Sequence, residues 1–362
     1  MEMAEPAKLS AVVVVVGGGV AGAFVAKSLQ SHAQVVLIEP KDYLEIPYGE
    51  LRSKVEPLFA ERTLIKHTDY LTDVRIINNR ATGITGKEVL TEDGGSVTYD
   101  YLVIATGHVD SATRIRDERL EEFKQDNQKI ESSRSILVIG GGPVGVELAA
   151  EIATDYLGKK VTLVHKGSRL LEFVGPKASK KALDWLVSKK VDVLLNETVE
   201  VTSLEASSGT YTISSGEKIT ADCHFVCVGK PIGSGWLSPS FLKESLDEKG
   251  RLQVDKNLRV RGSQIVFAAG DITDVPEIKQ GYLAQAHAMV IAKNIKLLIN
   301  GSAQSKLATY TANSSAPALV SLGRKGGVAQ LPCFSVSGWF PAFIKSRDLF
   351  IGKVRKEIGL KA

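Results

Sequence analysis

Apolar residues along the chain form short unbroken runs, and a cluster of glycines follows the first run of each pair. Val12 to Val16 is entirely β-branched, and Ile136 to Ile139 is entirely apolar. Runs of this kind are typical of strands buried on both faces of a parallel sheet. Each glycine cluster is followed by a helical stretch and then by a second short, mainly apolar run. This run is Val35 to Ile38 in the first unit and Val161 to Val164 in the second. The pattern predicts two strand–helix–strand units and hence an α/β fold.

Both glycine clusters have the spacing G-x-G-x-x-G. Glycine is needed in such a loop for a tight turn, for close approach of a pyrophosphate and for packing of helix on strand. The helix that follows offers free N–H groups and a positive dipole end to the phosphates. We therefore predict two dinucleotide sites. The predicted loop residues are Gly17, Gly18, Gly19, Val20, Ala21 and Gly22 in the first unit, and Gly140, Gly142 and Gly145 in the second.

The two units differ at the end of their second strand. Glu39 lies 22 residues after Gly17, where a carboxylate can accept hydrogen bonds from both hydroxyls of an unmodified ribose. The second unit has His165 and Lys166 there, with Arg169 close behind. Cations accommodate a 2′-phosphate that a carboxylate would repel. The contrast predicts that the second site favours NADPH over NADH.

Basic residues are concentrated at the C-terminal end of the chain. The 362 residues carry a formal net charge of +4, and residues 331–362 hold six Lys or Arg against two Asp or Glu. The rest of the chain is therefore neutral, which argues against a nucleic-acid partner. The tail also contains Phe334, Trp339, Phe340, Phe343 and Phe350. Aromatic residues beside cations suit the surface of an anionic membrane; a packed hairpin with a solvated basic rim is the alternative.

Targeting and cysteine signals are sparse. The N-terminal residues lack the basic and apolar regions of a signal peptide, and Glu2 stands where N-myristoylation requires glycine. We expect a cytoplasmic protein without a transmembrane helix, with peripheral attachment to a membrane left open. The absence of cysteine before Cys223 argues against a disulfide substrate. No cluster of His, Cys or carboxylate residues predicts a metal site.

Three segments resemble, in order, motifs of FAD-dependent pyridine nucleotide oxidoreductases: YDYLVIATG (99–107), HFVCVGKPI (224–232) and IVFAAGDIT (265–273). The resemblance implies a glutathione-reductase-like fold with two Rossmann-like domains, and it implies that Thr106, Gly107, Gly229 and Asp271 bind cofactor. Asp271 would hold the ribityl chain of FAD. The implied domains are an FAD domain at 1–122 and 256–318, an NAD(P)H domain at 123–255 and a C-terminal segment at 319–362. The polar stretch 117–133 would be a linker.

The segments SLGRKGGVAQ (321–330) and IKSRDLF (344–350) resemble the ferroptosis-suppressor branch of apoptosis-inducing-factor-like proteins. This resemblance implies an NAD(P)H:quinone oxidoreductase, with the lipid anchor of some members missing here. It implies that Arg52 approaches the pyrophosphate or flavin of FAD and that Ala81 touches adenine. The residues implied to line the flavin and quinone pocket, or to orient the acceptor and relay protons, are Glu147, Lys279, Tyr282, Lys345 and Phe350.

The expected activity is transfer of hydride from NAD(P)H through FAD to an acceptor, with a membrane quinone as the first choice. Monodehydroascorbate and an iron–sulfur protein stay open as acceptors on the same fold. A signalling or DNA-binding flavoprotein is the alternative from another class. That alternative requires a basic surface beyond the tail, and the neutral charge of the remaining chain argues against it.

Overall fold

A computed structural model describes residues 11–109, 112–200, 209–313, 317–331 and 334–362. Glu2 therefore lies outside the described residues, as does the side chain of Phe340. The strands are β1 (Val12–Val16), β2 (Gln34–Ile38), β3 (Tyr43–Glu45), β4 (Leu64–Lys66), β5 (Val74–Ile77), β6 (Ala81–Ile84), β7 (Glu88–Thr91), β8 (Ser96–Thr98), β9 (Tyr101–Ile104), β10 (Ser135–Ile139), β11 (Lys160–His165), β12 (Val191–Leu195), β13 (Gly209–Thr212), β14 (Lys218–Ala221), β15 (Cys223–Val226), β16 (Val266–Ala268), β17 (Ala318–Leu322), β18 (Gly326–Gln330) and β19 (Ser335–Ser337).

The helices are α1 (Val20–Leu29), α2 (Glu50–Val55), α3 (Pro57–Thr63), α4 (Arg116–Ser132), α5 (Pro143–Asp155), α6 (Pro176–Ser188), α7 (Gly281–Ile299), α8 (Trp339–Pro341) and α9 (Ile351–Glu357). A π-helical turn at Ala342–Ser346 follows α8. None of the helices within the described residues is both long enough and apolar enough to cross a bilayer.

Two parallel sheets organise the molecule. The first has the strand order β16-β9-β1-β2-β5, and the second has the order β12-β11-β10-β15. Every neighbouring pair in both sheets is parallel. The predicted α/β fold with two Rossmann-like units is confirmed. Because ligands of open parallel sheets bind beyond the carboxyl ends of the strands, the glycine loops after β1 and β10 mark the functional edge of each sheet.

The first sheet is completed by a strand from far along the chain. Strand β16 pairs with β9 in the register Val266 to Leu102 and Ala268 to Ile104. Helix α7 then packs on α1, with buried Ala288, Ile291 and Ala292 in the same core cluster as the α1 residues. The domain limits expected from the sequence remain a prediction.

The C-terminal segment forms its own antiparallel sheet, β17-β18-β19. Strand β17 packs on α5, and β18 and β19 pack on α6, so this sheet lies against the helices of the second unit. Buried Ala318, Val320 and Leu322 join the core cluster of that unit. The segment is therefore anchored beside the second glycine loop.

The stretch 117–133, expected to be a polar linker, is helical, since α4 spans Arg116–Ser132 in the connection from β9 to β10. Phe123, Asn127 and Ile130 are buried on one face, because their spacing of four and three residues places them on one side of a helix. This narrow stripe packs on α2 and α3. Arg119 adds an ion pair to Glu45, with Nη2 and Oε1 3.0 Å apart. The many charged residues of this stretch obscure the buried stripe of the helix in the sequence.

Candidate active site

A cavity of about 960 Å³ lies at the functional edge of the first sheet and reaches the start of α5 and strand β17. Its volume is at the upper end of the range for ligand and cofactor pockets. The predicted site residues on its wall are Gly17, Gly19, Val20, Ala21, Glu39, Ala81, Thr106, Gly107, Glu147, Asp271, Lys279 and Lys345. The structure therefore brings positions from the first unit, the second unit and the C-terminal segment to one space.

The first glycine loop is shaped by close backbone packing. Gly17 has φ +102°, and a Cβ on it would lie 2.5 Å from the carbonyl oxygen of Ala105. A Cβ on Gly22 would lie 1.8 Å from the carbonyl oxygen of Gly17. A Cβ on Gly19, in contrast, would meet no atom within 4 Å. The loop thus requires glycine on its inner side and leaves its outer side open to the cavity.

The buried carboxylate of Glu39 accepts hydrogen bonds from the backbone of the first loop and of the residues after β2. The N–H of Gly18 donates to Glu39 Oε2 at 2.5 Å, and the N–H of Lys41 donates to Glu39 Oε1 at 3.0 Å. Glu39 is buried and lines the cavity. Because both oxygens are held by backbone donors, the carboxylate has a fixed orientation towards the space where a ribose would bind.

The second loop repeats this construction with a different side chain. Gly140 has φ +118°, and a Cβ on Gly145 would lie 1.8 Å from the carbonyl oxygen of Gly140. Here the N–H of Gly141 donates to His165 Nδ1 at 3.1 Å. His165 therefore takes the structural place of Glu39, as a neutral imidazole with its proton on Nε2. Its Nε2 is buried and finds no hydrogen-bond partner among the described residues.

The two cations after His165 have different environments. Arg169 donates from Nη1 to the carbonyl oxygen of Val174 at 2.7 Å and from Nη2 to that of Glu172 at 2.6 Å. Its guanidinium therefore holds the loop that follows β11. Lys166 is exposed. Of the two cations, Lys166 has the side chain that can more readily reorient towards a phosphate.

Glu147 and Lys345 form an ion pair on the cavity wall. Lys345 Nζ donates to Glu147 Oε1 at 2.5 Å and to the carbonyl oxygen of Leu319 at 2.9 Å. The N–H of Ser321 also donates to Glu147 Oε1, at 2.7 Å. The pair joins α5 to the C-terminal segment, so a carboxylate and a hydrogen-bond donor lie together on the cavity wall.

Asp271 and His108 also line the cavity, with Asp271 Oδ2 3.0 Å from His108 Nδ1. Lys279 donates to the carbonyl oxygens of Thr273 at 2.9 Å and Val275 at 3.0 Å. Burial lowers the pKa of Lys279, and the positive charge of Arg251 acts in the same direction. Lys279 therefore braces the loop after Asp271 while its side chain borders the cavity.

The structure does not place Arg52 on the cavity wall. Its side chain is 2% exposed, with Nη2 2.9 Å from Glu151 Oε1. Nη1 donates to the carbonyl oxygen of Ser346 at 2.6 Å. Arg52 thus fastens α2 to α5 and to the C-terminal segment, whereas the resemblance suggested an approach to the pyrophosphate or flavin of FAD.

Tyr282 and Phe350 lie beside the cavity rather than on its wall. Tyr282 is in the first turn of α7, and its hydroxyl donates to the carbonyl oxygen of Pro317 at 3.4 Å. The Phe350 ring packs edge-on against Tyr48, with centroids 6.2 Å apart, and Tyr48 lines the cavity. Also outside the wall are Gly18, Gly22, Gly140, Gly142, Gly145, His165, Lys166, Arg169 and Gly229.

Several wall residues were missed at the level of sequence. His108 directly follows the ATG turn at 105–107, which is the one local signal that could have found it. Phe173 and Val144 also line the cavity, as does Trp236. Val144 lies within the second glycine motif, whereas Phe173 and Trp236 come from segments that no motif marks. Within the described residues, no group of His, Cys, Asp and Glu is arranged to hold a metal ion.

The first loop and its cavity fit FAD. The open side of Gly19 allows a pyrophosphate to approach the backbone, and the first turn of α1 has N–H groups without intrahelical partners by its geometry. Glu39 is oriented for a ribose, and the cavity continues from there past Thr106 and Asp271 to Gly281 at the start of α7. The glycine loop and Glu39 can therefore bind one end of an extended dinucleotide, and the cavity is large enough to hold the rest.

Comparison with known proteins gives the family. The family model for pyridine nucleotide-disulphide oxidoreductases matches residues 11–291. The chain belongs to this family. Apoptosis-inducing factor homolog B of Dictyostelium discoideum is 34% identical, over 94% of this chain and 95% of its own. Ferroptosis suppressor protein 1 of Xenopus tropicalis is 33% identical, over 96% of each chain. The predicted resemblance to this oxidoreductase branch is confirmed.

Two solved structures illustrate the similarity in fold. The sulfide:quinone oxidoreductase of Aquifex aeolicus superposes with a TM-score of 0.75 at 20% identity, covering 96% of this chain and 92% of its own. NDH2 of Plasmodium falciparum, solved in complex with NADH, superposes with a TM-score of 0.72 at 15% identity. The match covers 92% of this chain and 93% of the NDH2 chain. As a pyridine nucleotide-disulphide oxidoreductase, the chain is an NAD(P)H-dependent flavin oxidoreductase.

Proposed function

We propose that this oxidoreductase passes electrons from NAD(P)H to a quinone. The observation that carries the proposal is a single cavity that joins the first glycine loop, the start of α5 and the Glu147–Lys345 pair. A dinucleotide on the first loop, a nicotinamide arriving along α5 and an acceptor beside the ion pair would meet there. Bound FAD would supply hydride acceptance and onward electron transfer, which side chains do not provide.

The residues of the first unit are proposed to hold FAD. The loop from Gly17 to Gly22 would bind the pyrophosphate, and Glu39 would accept hydrogen bonds from the ribose. The start of α7 at Gly281 borders the cavity, and its positive dipole end would favour negative charge there. The remaining proposed contacts are Ala81 at adenine, Thr106 and Gly107 in the turn after β9, and Asp271 at the ribityl chain.

The acceptor region combines an apolar wall with one ion pair. Val144, Phe173 and Leu319 line the cavity near Glu147 and Lys345. A quinone presents a flat apolar ring with two carbonyl oxygens, so Lys345 can donate to one of them while Glu147 exchanges a proton. Lys279, Tyr282 and Phe350 are proposed to support acceptor binding from the loop and helices nearby. The similar fold of a sulfide:quinone oxidoreductase supports this choice by analogy.

The second unit is proposed to bind NADPH in preference to NADH. His165 replaces the ribose-binding carboxylate, and exposed Lys166 adds positive charge at the same edge. Gly140, Gly142, Gly145 and Gly229 would shape the pyrophosphate site, with Arg169 holding the adjoining loop. Without a carboxylate on β11, a 2′-phosphate meets less repulsion there.

The protein is proposed to work in the cytoplasm, at the surface of a membrane where quinones are dissolved. Trp339, Phe343 and Phe334 are 76%, 67% and 57% exposed, and all three lie in the basic C-terminal segment. Exposed aromatic residues beside cations favour adsorption to anionic lipid. We propose no nucleic-acid partner, because the net positive charge of the chain is confined to this segment and the remaining residues are neutral overall.

A panel of acceptors tests the assignment. Purified protein should be yellow, NADPH should bleach the flavin absorbance without oxygen, and a short-chain quinone should restore it. Restoration only by monodehydroascorbate or an iron–sulfur protein would replace the quinone with that acceptor. Folded protein that neither contains nor takes up flavin would overturn the function as a whole. Salt-dependent DNA retention by protein lacking residues 331–362 would support the signalling alternative.

A further inference from the structure

A buried network outside the proposed chemistry surrounds the turn that carries Asp271. Gly270 and Asp271 line the cavity, and Gly270 has φ +75°. A Cβ on Gly270 would lie 3.3 Å from Ala284 Cβ and 3.5 Å from Ala21 Cβ, so the turn sits where α1 and α7 cross. The position of Asp271 therefore depends on how this turn is held between the two helices.

The turn is held from beneath by a histidine. The buried N–H of Gly270 donates to Nδ1 of His287, one turn along α7 from Ala284, at 3.1 Å. On the opposite side, Thr273 Oγ1 donates to the carbonyl oxygen of Gly270 at 2.8 Å. Because Gly270 has no Cβ to restrict it, hydrogen bonds at its N–H and carbonyl groups define its conformation.

The imidazole is itself held in one tautomer. Since Nδ1 accepts from Gly270, the proton of neutral His287 is on Nε2, which lies 2.9 Å from Glu277 Oε1. Both side chains are 1% exposed. Glu277 Oε2 accepts from the hydroxyl of Tyr310 at 2.7 Å and from the N–H of Asn313 at 3.2 Å. The carboxylate thus lies at ion-pair distance from Nε2 without the alignment of a hydrogen bond, and the ring holds the turn through Nδ1.

We propose that His287 is a positioning residue that holds the Gly270–Asp271 turn in the conformation that binds the flavin nucleotide, with the carboxylate of Glu277 beside Nε2 favouring the tautomer that this requires. This inference rests on the proposed FAD site. A protonated imidazole would have no acceptor for the Gly270 N–H, so the neutral ring is required. Burial lowers the pKa of His287 and favours that form, against the opposing charge of Glu277 and with the help of Lys279.

Three substitutions of His287 distinguish the roles of its two ring nitrogens. His287→Asn keeps an acceptor near the place of Nδ1, His287→Gln keeps a donor near the place of Nε2, and His287→Leu keeps neither. Asn294→Leu is the matched control, because Asn294 is equally buried on the same helix but bonds to Ala308 and Asn257, away from the cavity. It should lower thermal stability without changing affinity for FAD.

The measurements are the dissociation constant of FAD from apoprotein, by flavin fluorescence, and hydrogen–deuterium exchange of residues 268–275 in apoprotein. We expect His287→Leu and His287→Gln to weaken FAD binding about tenfold or more and to speed exchange in this segment, with His287→Asn close to wild type. Equal affinities for the Asn and Gln variants would overturn the proposal, whether or not the Leu variant folds. Wild-type apoprotein without affinity for FAD would instead refute the proposed function.

Discussion

At the end of strand β11 a histidine has the hydrogen bond that a glutamate has at the end of β2. Gly18 donates to Glu39, and Gly141 donates to His165. The exchange keeps the acceptor for the loop N–H while it removes a negative charge from the ribose site. Sequence spacing predicted both positions, because a Rossmann unit fixes where its second strand ends. Spacing could not show that His165 is neutral and bonded through Nδ1.

His165→Glu should restore a carboxylate that accepts from Gly141, and with it the preference for an unmodified ribose. We expect the ratio of kcat/KM for NADPH to kcat/KM for NADH to fall by about tenfold or more, since the new charge repels a 2′-phosphate. Steady-state kinetics with both cofactors measure this ratio. His165→Gln is the uncharged control and should change the ratio less. An unaltered ratio in the Glu variant would rule out this basis for cofactor choice.

Glu147→Gln should slow quinone reduction. The substitution removes a group that can exchange protons and leaves Lys345 without its anionic partner. We expect kcat with a short-chain quinone to fall about a hundredfold, the lower range for loss of acid–base catalysis. Bleaching of the flavin by NADPH, followed by stopped flow, should change much less. If both half-reactions slow equally, Glu147 acts on flavin binding or on the fold rather than on the acceptor.

His67 makes stability depend on pH. It is fully buried beneath the first loop, with Nδ1 2.7 Å from the Tyr70 hydroxyl, and burial lowers its pKa to about 3. In the unfolded chain it binds a proton below about pH 6.5, so the folded state loses stability as pH falls from there towards 3. In urea unfolding of FAD-saturated protein, the free energy of unfolding should fall less steeply with decreasing pH in His67→Asn than in wild type. The difference between the two slopes should be up to about 1.4 kcal/mol per pH unit. An unchanged slope would contradict this account.

At the scale of elements, the part least visible from sequence is the junction of α2, α5 and the C-terminal segment. Local periodicity predicted the strands and glycine loops, because their signals lie within a few consecutive residues. The helical form of α4 was not predicted, since only Phe123, Asn127 and Ile130 are buried among its 17 residues. The partners of Arg52 were not predicted, because Glu151 and the carbonyl of Ser346 are about 100 and 300 residues away. Contacts of that separation leave no local pattern.

The junction predicts a large penalty for breaking one buried ion pair. Glu151→Gln would leave the Arg52 guanidinium buried without its carboxylate, and we expect a loss of about 3–5 kcal/mol in the free energy of unfolding. The double variant Arg52→Met with Glu151→Met removes both charges and should lose less. Urea unfolding of the three proteins measures the difference. A double variant that is no more stable than Glu151→Gln would contradict this account.

At the scale of the whole molecule, the cavity opens between the two nucleotide units while the exposed aromatic residues gather in the C-terminal segment. Lys345 belongs to that same segment and also reaches the cavity. One short piece of chain therefore connects the proposed lipid contact with the proposed acceptor site. This connection could not be predicted from either feature alone, because it depends on the packing of β17 to β19 against the second unit.

The arrangement predicts that membrane binding depends on the position of exposed apolar side chains and not on their number. Replacing Trp339 and Phe343 by Ser should abolish flotation with vesicles that contain anionic lipid, because adsorption depends on buried apolar area as well as charge. The matched control replaces Leu58 and Leu157, which are 82% and 85% exposed elsewhere on the surface, and should float like wild type. Raised salt should weaken flotation of wild type. The Ser variant should keep activity with a soluble quinone and lose it with a quinone confined to vesicles. Equal flotation of both variants would assign membrane attachment, if present, to another surface.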